Sequence, residues 1–150
     1  MFANASWTVA LAAATLLAMC AVLSARAVRV PTADADRLVA ELRLAQVAST
    51  VLAFVAAAYL GSAALEPGVP GASLDVALAL GFVIMAATAS WWDPRAALTA
   101  LSAGFVAHAL VDLAHGPGWL PGVVPRWYVV GCAVHNLATA ALCYLPILRR

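Results

Sequence analysis

Between Gly104 and Asn136 the chain places all three of its histidines, His108, His115 and His135, together with Asp112, Cys132 and Asn136. Imidazole, carboxylate and thiolate are the side chains that ligate transition metals, and histidine is also a common axial ligand of haem. A carboxylate can bind a metal directly or orient a ligating histidine from behind. In apolar surroundings the same groups can pass protons to a bound molecule, or tie helices together as a hydrogen-bonded network. Three chemistries are therefore open. One is a site for zinc, copper, iron or haem at His108, Asp112 and His135, with His115 and Cys132 as further metal ligands and Asn136 and Arg126 in support. The second is a proton relay or headgroup site serving a quinone, a lipid or a small lipid-soluble ligand. The third is an internal network that fixes helix register.

The spacing does not choose among them. His108-x-x-x-Asp112-x-x-His115 lacks the glutamate that sits between two ligands in a zincin signature. There is no Gly-rich phosphate loop, no G-x-S-x-G elbow and no C-x-x-C pair, so nucleotide binding and acyl-serine chemistry have no support.

The elements that position these residues follow from composition. Of 150 residues, 65% are hydrophobic and 10% charged, where a soluble domain carries roughly a quarter charged. The apolar residues come in runs of about 20, the length that crosses a bilayer. The expected fold is an all-α integral membrane protein, a single compact bundle of five spans at about residues 5–25, 44–65, 74–92, 96–115 and 127–146. Arginine supplies every basic side chain and the net charge is only +1, which argues against a nucleic-acid partner.

Punctuation between the runs supports this division. Pro31 stops the first helix, and Thr32 or Asp34 can cap the next, whose first turns (32–43) are expected to lie as an amphipathic stretch along the headgroups. Glu66 to Gly71 is a turn, and Ser73 and Asp75 fit a helix N-terminus, so Asp75 reads as a cap. Trp91-Trp92-Asp93-Pro94 joins spans three and four so tightly that they must be antiparallel neighbours. The proline-rich loop from Gly116 to Gly122 should be rigid, and Pro146 should close span five. Trp7, Trp119, Trp127 and Tyr128 read as interfacial aromatics. Leu17 to Cys20 loosely fits a lipoprotein cleavage box, but no positive charge precedes it, so a retained first span is expected. Cys20, Cys132 and Cys143 all fall inside spans and imply no disulfide framework.

Arginine placement predicts orientation. With the N-terminus outside and the C-terminus cytoplasmic, only Arg126 lies outside, and the Ala-rich, Lys-free usage suggests a bacterial inner membrane. Depth can then be matched between spans four and five. His108 lies about 10 Å below His115 and His135 about 12 Å below Trp127, so those two histidines come out level. Asp112 and Cys132 pair at a shallower level, and His115 should be interfacial. Ala100, Gly104, His108 and Asp112 form one stripe, and Gly131, His135, Thr139 and Cys143 another, both expected to face protein.

A lone aspartate at the bilayer centre costs roughly 2.5–3.5 kcal/mol, and Asp112 sits near a helix C-terminus where the macrodipole disfavours negative charge. Hence a partner is expected, from His108, His115, His135, Arg126 or a metal. The expected site is an outward-opening His/Asp pocket between spans four and five. A non-catalytic accessory subunit is the alternative: small residues on every span suit packing against a second copy or other membrane subunits.

Overall fold

A computed structural model of the chain describes residues 2–122 and 124–149. It is all-helical: α1 (Phe2–Arg29), α2 (Ala35–Leu65), α3 (Ala72–Ala89), α4 (Pro94–His115) and α5 (Arg126–Leu148). All five are long and apolar enough to cross a membrane. Short connections make the helices run alternately up and down. The most extensive packing is between α4 and α5 and between α2 and α3, with α1 set against α2 and α5. Large apolar side chains such as Leu11, Val22, Phe54, Ile84 and Val134 cover the outside, as a lipid-facing surface requires.

The interior is built largely from small side chains. Ala48, Ala56, Ala97 and Ala140 are buried between larger Leu52, Leu98, Leu101 and Phe105. Close approach is most evident at Gly104, where an added Cβ would lie 2.5 Å from Met85 Sδ of α3. The α4 stripe therefore faces protein at Gly104, His108 and Asp112. On α5, His135, Thr139 and Cys143 are buried as expected, but Gly131 is exposed. Cys20, Cys132 and Cys143 are buried free thiols. Cys20 lies in the core.

The stretch 32–43 departs from the sequence expectation. Asp34 does cap α2, accepting the backbone N–H of Asp36 at 2.9 Å, but residues 35–43 simply begin a 31-residue helix. Its charged face turns inward: Arg37 and Glu41 are buried while Leu38 and Val39 are exposed. The cause lies in the ends of two other helices, whose last carbonyls lack intrahelical partners. Arg37 donates to Val30 O (3.0 Å), Pro146 O (2.6 Å) and Arg149 O (3.3 Å), and Glu41 neutralises it at 2.6 Å. Arg95 also reaches Glu41, at 3.4 Å.

Pro146 lies inside α5 and does not end it. A proline has no N–H to give the carbonyl four residues back. That carbonyl, Leu142 O, instead accepts Ser24 Oγ of α1 at 2.7 Å, the kind of repair that lets proline sit within a membrane helix. At the start of α4, Asp93 accepts from the N–H groups of Arg95 and Ala96, both at 3.1 Å, with Pro94 in the first turn.

Candidate metal centre

The α4 and α5 segments singled out by the sequence meet near the C-terminal end of α4 and the N-terminal part of α5. Asp112 is fully buried and His108 is 1% exposed. One helical turn apart on α4, they place His108 Nδ1 3.3 Å from Asp112 Oδ2. From α2, the Tyr59 hydroxyl donates a hydrogen bond to Asp112 Oδ1. From α5, Asn136 Nδ2 donates to Asp112 Oδ2 at 3.0 Å, and it also lies 3.0 Å from His108 Nδ1 and 3.3 Å from Cys132 Sγ. The partner demanded by a buried aspartate is thus a hydroxyl, an amide and an imidazole together.

An amide nitrogen has two hydrogens, yet three potential acceptor atoms surround this one. The arrangement is complete only when one of the three acceptors carries a proton of its own, as when His108 Nδ1–H points at Asp112. On its other side the amide oxygen, Asn136 Oδ1, has no hydrogen-bond partner among the described residues although it is buried. Ligand atoms of His108, Asp112 and Cys132 all lie within 4.8 Å of one another. Around a tetrahedral ion with bonds of about 2.0–2.3 Å, neighbouring ligand atoms are about 3.3–3.8 Å apart. A metal would therefore draw these groups inward by up to about 1 Å and replace the amide hydrogens at the centre of the cluster.

The site is closed, in contrast to the outward-opening pocket expected from sequence. Tyr59 supplies one wall, its ring edge-on to His108 with centroids 5.4 Å apart, and Phe82 of α3 supplies another at 4.7 Å. The hollow beside His108, between Tyr59, Leu78, Ala79, Phe82 and Val111, is too small to admit a water. Without rearrangement it has no room for a haem macrocycle.

The remaining candidates separate from this centre. His135 is 7% exposed, and both its ring nitrogens lack a hydrogen-bond partner among the described residues. It does not share the His108–Asp112–Cys132 group. The next residue on α5, Asn136, about 100° around the helix, is the one that reaches His108. His115 is not an open interfacial side chain. Its ring is 3% exposed, with Nδ1 2.8 Å from Val111 O and Nε2 2.9 Å from Asp75 Oδ1. Since a carbonyl can only accept, Nδ1 is the donor to Val111 O, and Nε2 faces the Asp75 carboxylate. Asp75 is therefore a buried partner of His115, not a cap: α3 begins at Gly71 with no side-chain cap. The loop before α5 covers this pair tightly. A Cβ at Gly122 would lie 2.4 Å from His115 Cδ2, and one at Gly71, whose φ is +98°, would lie 2.1 Å from Pro121 O. Arg126 is exposed and forms no ion pair among the described residues.

Tyr59 and Asp75 were not among the sequence candidates. Tyr59 had a visible signal, a single phenol inside an apolar run of span two, because a buried hydroxyl in a membrane span needs a partner. Its ring packs against both His108 and His115, 5.4 and 5.6 Å from their centroids. Compared with known proteins, the chain matches no family model, no curated sequence and no solved structure.

Proposed function

We propose that this chain is a multi-pass membrane protein that binds one transition-metal ion between α4 and α5. His108 Nδ1, Asp112 Oδ2 and Cys132 Sγ are its ligands, and Tyr59 holds the carboxylate from behind. The observation that carries the reading is the convergence of three acceptor atoms of different chemistry on one amide nitrogen, buried between α4 and α5. A mixed imidazole, carboxylate and thiolate set suits zinc, copper or iron rather than magnesium or calcium. Tyr59 on Asp112 Oδ1 matches the hydrogen bonding that orients ligating carboxylates. Asn136 is the fourth candidate: rotation of its amide would bring the unpartnered Oδ1 toward the ion.

We place the protein in a bacterial inner membrane with the N-terminus outside and the C-terminus cytoplasmic, because that orientation leaves only Arg126 among eight arginines outside. The metal centre then lies toward the outer face. Elemental analysis of detergent-purified protein tests the function. About one zinc, copper or iron per chain, lost together in His108→Ala and Cys132→Ser, supports it. Metal-free protein from metal-supplemented cells, with no gain in thermal stability on adding zinc or copper, contradicts it. Tag accessibility at residue 150 tests the orientation, and labelling from outside would overturn it.

A further inference from the structure

At the opposite end of the bundle, where α1 turns into α2, lies a cleft of about 570 Å³. Val22 and Pro31 line an apolar wall, and Arg26, Arg29, Asp34 and Asp36 bring two positive and two negative side chains to the same space. We propose that this cleft binds the headgroup of a phospholipid that carries both a phosphate and a primary amine.

Arg26 and Arg29 occupy the last turn of α1, where its apolar run ends, so the cleft stands at headgroup level with its apolar wall continuous with the lipid-facing side of α1. Opposite charges lining one cleft usually pair, but the ion pairs among the described residues are Arg37–Glu41, Arg95–Glu41, His108–Asp112 and His115–Asp75. Arg26 and Arg29 pair with neither Asp34 nor Asp36. Two guanidinium groups suit phosphate oxygens, while carboxylates suit an ammonium with N–H donors. A choline headgroup has no N–H to give, and an anionic headgroup without an amine leaves the two carboxylates repelling it.

The turn forming the cleft is held by Val30 N–H to Arg26 O (3.3 Å), Asp34 N–H to Pro31 O (3.1 Å) and Asp36 N–H to Asp34 Oδ1 (2.9 Å). Buried Arg37 fixes the wall through Val30 O. The volume falls within the range of small-molecule sites, about 300–1,000 Å³.

The test uses full-length protein in mild detergent, offered equal amounts of phosphatidylethanolamine, phosphatidylcholine and phosphatidylglycerol with identical acyl chains. Retained lipid is counted by native mass spectrometry. Phosphatidylethanolamine should exceed each of the others by about fivefold, the equivalent of one exposed charge pair. Arg26→Gln/Arg29→Gln should abolish that excess. Asp34→Asn/Asp36→Asn, which keeps a capping oxygen for α2, should lose the discrimination against phosphatidylglycerol. Equal retention of the choline lipid, preference for the glycerol lipid, or an excess unchanged in both variants would overturn the proposal. Competition by O-phosphoethanolamine at the same concentration as the lipid would overturn the lipid assignment in favour of a soluble phosphoamine. None of these readings involves the metal centre.

Discussion

The amide nitrogen of Asn136 lies 3.0 Å from Asp112 Oδ2 on the neighbouring helix, and it occupies the place a cation would take among His108, Asp112 and Cys132. Replacing it should therefore separate structure from metal binding. Asn136→Asp removes both amide hydrogens and adds an acceptor, leaving buried groups without donors at a cost of about 1–3 kcal/mol each. The metal-free variant should melt several degrees below the wild type, and zinc or cobalt should restore more stability to it than to the wild type. Thermal melts in detergent with and without metal read this directly.

Tyr59→Phe deletes the hydroxyl that donates to Asp112 Oδ1. A hydrogen bond to a charged group contributes about 1.5–3 kcal/mol, so the melting temperature should fall, and by much less when Asp112 is already Asn. The Tyr59→Phe, Asp112→Asn double-mutant cycle checks it, with a coupling of at least about 1 kcal/mol expected. Additive effects would mean that the two side chains do not depend on each other.

His115→Ala and Asp75→Asn should each destabilise the protein while leaving metal content unchanged, because their pair is closed under Gly122 and lies outside the ligand group. Combining them should cost little more than either alone. Metal loss in His115→Ala would instead make His115 a ligand.

Ser24→Ala should leave Leu142 O without a donor, with a loss of about 0.6–2 kcal/mol, the range for interhelical hydrogen bonds in membranes. Pro146→Ala restores an N–H to that carbonyl, so Ser24→Ala should have a smaller effect in a Pro146→Ala background. Melting temperatures of the four proteins form the check.

How much of this was legible in the sequence depends on the geometry each feature needed. Five apolar runs gave the five helices, and the His108–Asp112 stripe followed from a four-residue repeat on one helix. Height along antiparallel helices followed from rise per residue, which brought the Cys132–Asn136 segment level with His108 and Asp112. Azimuth did not: heights alone favoured His135, whereas the 100° step to Asn136 decides which side chain arrives. Tyr59 and Asp75 required knowing which helices pack beside α4, a property of bundle order that no local pattern encodes. Arg37 and Glu41 misled for a different reason. Charges in the first turns of a helix resemble a headgroup-facing stripe unless the carbonyl ends of α1 and α5 are known to wait beside them.

A cobalt(II) titration of purified, metal-stripped protein, followed by absorption, reads metal binding at the α4–α5 centre. Thiolate bound to cobalt gives a ligand-to-metal charge-transfer band in the near ultraviolet, and a four-coordinate ion gives visible d–d bands. Both bands should rise to saturation at about one equivalent, a single ion for the His108–Asp112–Cys132 group. The charge-transfer band should vanish in Cys132→Ser, and both should weaken in His108→Ala and Asp112→Asn. A spectrum that stays featureless through excess cobalt, or bands that persist unchanged in Cys132→Ser, would contradict it.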